Sequence, residues 1–244
     1  MKFKAAFHYI LHDCGKALMI YYAIILAINL LFFMLLRLNE GSSIEFNGFE
    51  VASMIFIFVT GLNIFKEAFH FLIQHGRSRL TLALASLATI GILSVIMALI
   101  DYLVIRPLHA MTPLLFHSET IPLINSLNAR TMDLANMFLT YILLGTLGLF
   151  LGALYYRMNL AQKLVVSIGV PVFFLAALPI IDANWTGGAI MSALLRFILL
   201  AFTGITEITF ISDMASLLLI RFGIVAVAAL AFYLSTIKVR VKAQ

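Results

Sequence analysis

Apolar residues run in long blocks along this chain, and the polar positions between them are few and clustered. Counted against a bilayer core that takes about 20 helical residues to cross, the blocks predict spans near 17–36, 50–66, 82–105, 132–156, 164–181 and 214–237. A further block at 189–205, AIMSALLRFILLAFTGI, is shorter and carries Arg196 near its middle. A charge there on a lipid-exposed helix is costly, so this block reads as a re-entrant or surface-lying helix on the outer side. The predicted fold class is an all-α integral membrane protein with six transmembrane helices.

Two polar stretches interrupt this pattern in a way that predicts helices outside the spans. In MKFKAAFHYILHDCGKALM, Phe3, Phe7, Ile10 and Cys14 recur at helical spacing, with Lys2, Lys4, His8, His12 and Lys16 largely elsewhere. That is the pattern of a helix lying in the interface, expected here over 1–16. The link between the second and third spans reads FKEAFHFLIQHGRSRLTLA, residues 65–83. Its first part places Phe65, Phe69, Leu72 and Ile73 on one side and Lys66, Glu67, His70 and Gln74 broadly on another. Gly76 is a natural helix stop, and Ser78 is placed to cap the next helix. A short amphipathic helix at about 66–76, parallel to the membrane, is the expectation.

Composition agrees with this class and closes others. Hydrophobic residues are 63% and charged residues 11% of the 244 positions, against about 45–50% and about 25% in an ordinary soluble domain. No globular core hides that much apolar surface. With six spans and a cytoplasmic N-terminus, the inner segments hold Lys2, Lys4, Lys16, Lys66, Arg77, Arg79, Arg157, Lys163, Lys238, Arg240 and Lys242, 11 of the 16 Lys and Arg. This is the asymmetry of the positive-inside rule, and it places both termini in the cytoplasm. The net charge of +5 sits in short juxtamembrane clusters with no aromatic platform of the kind single strands require. It therefore reads as topology signal and contact with anionic lipid, with no nucleic-acid partner. The first apolar block begins after some sixteen residues and is long enough to remain as a span, so no secretory signal peptide is read. One cysteine, Cys14, excludes an intrachain disulfide.

The 65–83 stretch resembles the coupling-helix region of ABC transporter permeases of the type 2 export class, in which a GxSR-like turn leads into the third span. The match here is Gly76-Arg77-Ser78-Arg79, although the family usually has an apolar residue where Arg77 stands. The likeness extends over most of the chain through its topology. It implies one transmembrane permease domain over 1–244, in a bacterial cell membrane, forming the pathway as a dimer with an identical or homologous permease subunit. It also implies separate ABC ATPase subunits docking on Glu67, His70, Gln74, His75, Gly76, Arg77, Ser78 and Arg79, with a second contact at YYRMNLAQK, residues 155–163. ATP and Mg would be bound by that partner. In this chain the GK at Gly15-Lys16 is followed by Ala17 and has Ile10 where a P-loop needs its first Gly, so no nucleotide site, cofactor or enzymatic activity of its own is expected.

Polar groups inside apolar spans are candidates for function because lipid makes each expensive. Asn29 reads as interhelical glue or a functional polar group. Asp101, one turn before Arg106, reads as an interfacial ion pair or a proton relay. Arg221 reads as snorkelling, as pairing with Glu207 or Asp213, or as substrate contact. The spacing of His8 and His12 could place two imidazoles on one metal, but no Cys or carboxylate cluster completes a site and none is assigned. Gly148 and Gly152 form a GxxxG step that allows close helix approach, within the subunit or at a dimer seam.

Three functional classes follow. The resemblance implies an exporter of amphipathic peptides, antibiotics or lipid-like compounds. The alternatives are a secondary transporter, which would usually show more intramembrane carboxylates or repeated broken spans, and an intramembrane enzyme, for which no HExxH, GxSxG or paired-carboxylate arrangement is present.

Overall fold

The apolar blocks fold as helices because, away from water, a helix satisfies its own backbone groups. The computed structural model describes residues 2–38, 49–74, 78–105, 134–185, 187–202 and 214–237. Helix α1 covers Lys2–Leu38, α2 Phe49–Gln74 and α3 Arg79–Ile100, the last continued by a π-helical turn, Asp101–Ile105. Helix α4 covers Leu134–Arg157, α6 Ala189–Phe202 and α7 Met214–Ile237. Between α4 and α6, α5 is a helical run over 160–185 in which α-helical Leu160–Leu164, Val170–Val172 and Leu178–Trp185 alternate with π-helical Val165–Gly169 and Phe173–Ala177. No strand occurs among the described residues.

Among the described residues four stretches are long and apolar enough to cross a membrane: Phe3–Leu31, Arg79–Leu103, Leu134–Arg157 and Leu218–Ile237. Val51–Phe65, Leu160–Val172 and Ala189–Ile198 are apolar but shorter.

Helix α4 is the axis of the bundle and packs against α2, α7 and α3. Its closest neighbour is α2, where Gly61 crosses Gly145 and Gly148: a methyl on Gly61 would collide with the Gly145 carbonyl oxygen, and one on Gly148 with the Phe58 carbonyl oxygen. The glycine step thus serves packing within one chain. Around this crossing the core is filled by Ile57, Phe65, Leu82, Ile90, Met97, Leu149 and Phe232.

Helix α1 is longer than the predicted span. It is unbroken from Lys2 to Leu38, joining the 1–16 stretch and the 17–36 block in one helix. Ala6, Ile10, Cys14, Leu18, Tyr22 and Ile25 are buried at successive helical turns, so the part of α1 lying along the bundle begins in the first turns of the chain. Phe3, Lys4, His8, His12, Asp13 and Lys16 face outward. The physical reason is economy of backbone hydrogen bonds: no proline interrupts the helix, the single Gly15 costs only about 1 kcal/mol, and continuing the helix extends the buried stripe.

Helix α2 likewise runs without interruption to Gln74. Residues 66–74, where the short amphipathic helix is expected, are helical and continuous with the second helix.

Candidate functional site: the coupling end and the buried polar clusters

At one end of the bundle the start of α3, the α4–α5 corner and the end of α7 come together. Ser78 precedes α3, and its extended backbone (φ −73°, ψ 150°) and side chain cap that helix. The Thr81 amide donates to Ser78 Oγ at 3.2 Å, satisfying one of the free donors of a helix N-terminus. Arg79 then reaches across the fold, its Nη1 donating to the Ile237 carbonyl oxygen at 2.8 Å. That oxygen belongs to the last residue of α7, where carbonyls lack helical partners and a cation is favoured by the helix dipole.

Below this contact Phe65 of α2 meets Tyr156 of α4 and Phe232 of α7 edge-on, at 6.1 Å and 6.0 Å between ring centres. Helices α4 and α5 are joined through Met158 and Asn159. There the Asn159 amide donates to Gln162 Oε1 at 3.0 Å, within a capping box that starts α5. The 155–163 segment is therefore a stiff corner at the same end of the bundle. Of the other residues expected to couple, Glu67, His70 and Gln74 lie in the terminal turns of α2, while His75, Gly76 and Arg77 lie outside the described residues.

Toward the opposite end, polar side chains bridge helices. Asp101, 3% exposed, accepts hydrogen bonds from the Tyr22 hydroxyl at 2.9 Å and the Tyr141 hydroxyl at 2.6 Å, joining α1, α3 and α4. It opens the π-helical turn Asp101–Ile105, and helical irregularities of this kind often mark functional positions. Beside it the Tyr21 and Ser53 hydroxyls pair at 2.8 Å between α1 and α2. Arg221 of α7 is 1% exposed. Its Nη1 donates to Asn136 Oδ1 at 2.8 Å and its Nη2 to Thr140 Oγ1. Asn136 and Thr140 stand one turn apart on α4, a spacing that matches the two-pronged guanidinium.

Asp101 and Arg221 thus approach α4 through different side chains of its first two turns. The partners considered from sequence, Arg106, Glu207 and Asp213, lie outside the described residues. Asn29 does not bridge helices through its amide nitrogen: Nδ2 donates to the Ile25 carbonyl of its own helix at 2.9 Å. Tyr22, Tyr141, Asn136 and Thr140 were not singled out by the sequence, although a hydroxyl or amide inside an apolar block and an i, i+4 polar pair are signals visible there. Among the described residues no group of three or more His, Cys, Asp or Glu could hold a metal ion.

Chemically, the two ends differ. One offers helix termini fastened to one another, with Arg79 at the start of α3 holding the last carbonyl of α7. The other offers buried charged hydrogen bonds that fix helix positions. Comparison with protein-family models, with curated proteins and with solved structures finds no match for this chain.

Proposed function

We propose that this chain is the membrane-spanning permease subunit of an ATP-driven exporter, working as a dimer with separate ATPase subunits in a bacterial cell membrane. In this reading α2 and α5 complete six crossings, both termini are cytoplasmic, and the α2–α3 and α4–α5 turns face the ATPase. The substrate class is an amphipathic peptide, an antibiotic or a lipid-like molecule.

The observation that carries the reading is the Arg79–Ile237 hydrogen bond. It ties the start of α3, next to the proposed docking stretch, to the end of the last helix, so a push on that stretch is felt at two helices at once. A loop serving only as a topology signal has no need of such a fastening. The four apolar helices of crossing length and the stiff α4–α5 corner support the same arrangement.

The test is purification of tagged protein from native membranes in mild detergent, comparing wild type with Glu67→Arg. A co-purifying ATPase that is lost from a Glu67→Arg protein of unchanged thermal stability is the expected result. Absence of any ATPase from wild type under mild conditions overturns the reading and favours a transporter that works without one.

A further inference from the structure

Helix α1 turns charge outward at a depth where the rest of the bundle surface is apolar. The Tyr21–Ser53 pair sets the register of α1 against α2. The two helices run in opposite directions, so residues earlier in α1 stand beside residues later in α2. By that register Asp13 and Lys16 lie beside Thr60 and Asn63, close to the midpoint of Phe49–Gln74 and to the Gly61 crossing. This is the middle of the bundle.

An open groove of about 300 Å³ lies there, its polar lining formed by Tyr9, Asp13, Lys16, Thr60 and Asn63. Its volume is at the lower end of those of small-ligand sites. Asp13 and Lys16 are one turn apart and exposed, and among the described residues neither is drawn into an ion pair. Facing hydrocarbon, a carboxylate and an ammonium at this level are costly. Lysine snorkels only as far as its stem allows, and Asp13 has no such reach. The groove is concave and holds both signs of charge within one helical turn, which suits a small head group bearing both charges better than a protein face. One wall continues as apolar surface: Ile20 lines the groove, and Met19 and Ile24 beside it are 74% and 53% exposed.

We propose that this groove binds the zwitterionic head group of an amphiphile, its ammonium on Asp13 and its anionic group on Lys16, with the tail along Ile20 and Ile24. The neutral groups of Tyr9, Thr60 and Asn63 complete the hydrogen bonds of the head. A purely anionic or purely cationic head satisfies one of the two charges and leaves the other unmatched, so the site discriminates by charge pattern. The inference rests on the export reading only in calling this amphiphile the substrate. Binding itself needs no ATPase.

The test is a calorimetric titration of the purified full-length chain in maltoside micelles. The ligands are zwitterionic lysophosphatidylethanolamine, anionic lysophosphatidylglycerol and a cationic alkyltrimethylammonium of the same chain length. Wild type is expected to favour the zwitterion, and Asp13→Asn or Lys16→Gln to lose roughly tenfold in affinity for it, the scale of one charge-assisted hydrogen bond. The preference should also move in opposite directions: Asp13→Asn toward the anionic ligand and Lys16→Gln toward the cationic one. A misfolded variant would not produce that reciprocal shift. Free phosphoethanolamine should compete weakly, and competition equal to that of the lysolipid overturns the tail contact.

Equal binding of all three amphiphiles by wild type and both variants overturns the proposal. So does a dimer that dissociates in both variants while no amphiphile binds wild type, since a second copy would then cover the groove. Failure here leaves the ATPase pull-down untouched, and failure of the pull-down leaves this titration untouched.

Discussion

Arg79 and Ile237 meet through a 2.8 Å hydrogen bond although 158 residues separate them in the chain. The contact closes a carbonyl at the end of α7 with the first residue of α3, so the α2–α3 turn and the end of the last helix hold each other in place.

Arg79→Gln should therefore loosen the final turn of α7 more than α3, where Ser78 still caps the helix. Amide exchange over 233–237 is expected to accelerate severalfold while 82–98 is unchanged, for a cost of about 1 kcal/mol. Arg79→Lys, which keeps a cation at the helix terminus, should recover part of the protection. Unchanged exchange in both variants would show that the contact carries no stability.

Asp101 offers a sharper thermodynamic test because its two hydroxyl donors come from different helices. Tyr22→Phe and Tyr141→Phe should each destabilise the protein by about 1–3 kcal/mol, the range for leaving a buried polar group short of a partner. The double variant should cost more than the sum, since it leaves a buried carboxyl group with no tyrosine donor and only the neighbouring Ser53 hydroxyl. Adding Asp101→Leu to the double variant should then recover much of the loss, because the buried carboxyl group is gone and Ser53 keeps its Tyr21 partner. Thermal unfolding in detergent measures all four, and simple additivity would sink the cluster as a joint clamp.

Glycines at two kinds of position should respond in opposite senses. Gly148→Ala forces a methyl against the Phe58 carbonyl oxygen, and overpacking of this kind typically costs about 1–3 kcal/mol. At Gly91 an added methyl meets nothing within 4 Å. Gly91→Ala should therefore stabilise α3 by about 0.5–1 kcal/mol through helix propensity alone. Parallel thermal melts decide it, and a similar loss at both sites would contradict the close α2–α4 approach.

Much of the architecture is legible in the sequence because hydropathy and helix punctuation are local. The apolar blocks, the short 189–205 block and the Ser78 cap all follow from residues within a few turns of one another. The path of α1 is different. An interfacial helix and a helix packed along a bundle share one signature, apolar residues at three- and four-residue spacing. Phe3, Phe7, Ile10 and Cys14 fit either, and only the burial of Ala6, Ile10 and Cys14 against other helices puts this stripe along the bundle. The polar clusters were half legible for the same reason. Asp101 and Arg221 stand out in their own blocks, whereas Tyr141, 40 residues beyond Asp101, and Asn136, 85 before Arg221, are found only once helices are side by side. Reading the neighbourhood of each charge leads instead to Arg106, Glu207 and Asp213.

The outward stripe on α1 also bears on how the chain is made. A helix released alone into a bilayer must pass by its own hydrophobicity, and each lysine near its centre counts about 2.5–3.5 kcal/mol against it. Lys16, turned away from the bundle near the middle of Phe3–Leu31, carries that cost, although the stretch as a whole is apolar enough to cross. Ser53, Thr60 and Asn63 of α2 lie on the α1 side, so pairing of these two helices offsets part of that cost.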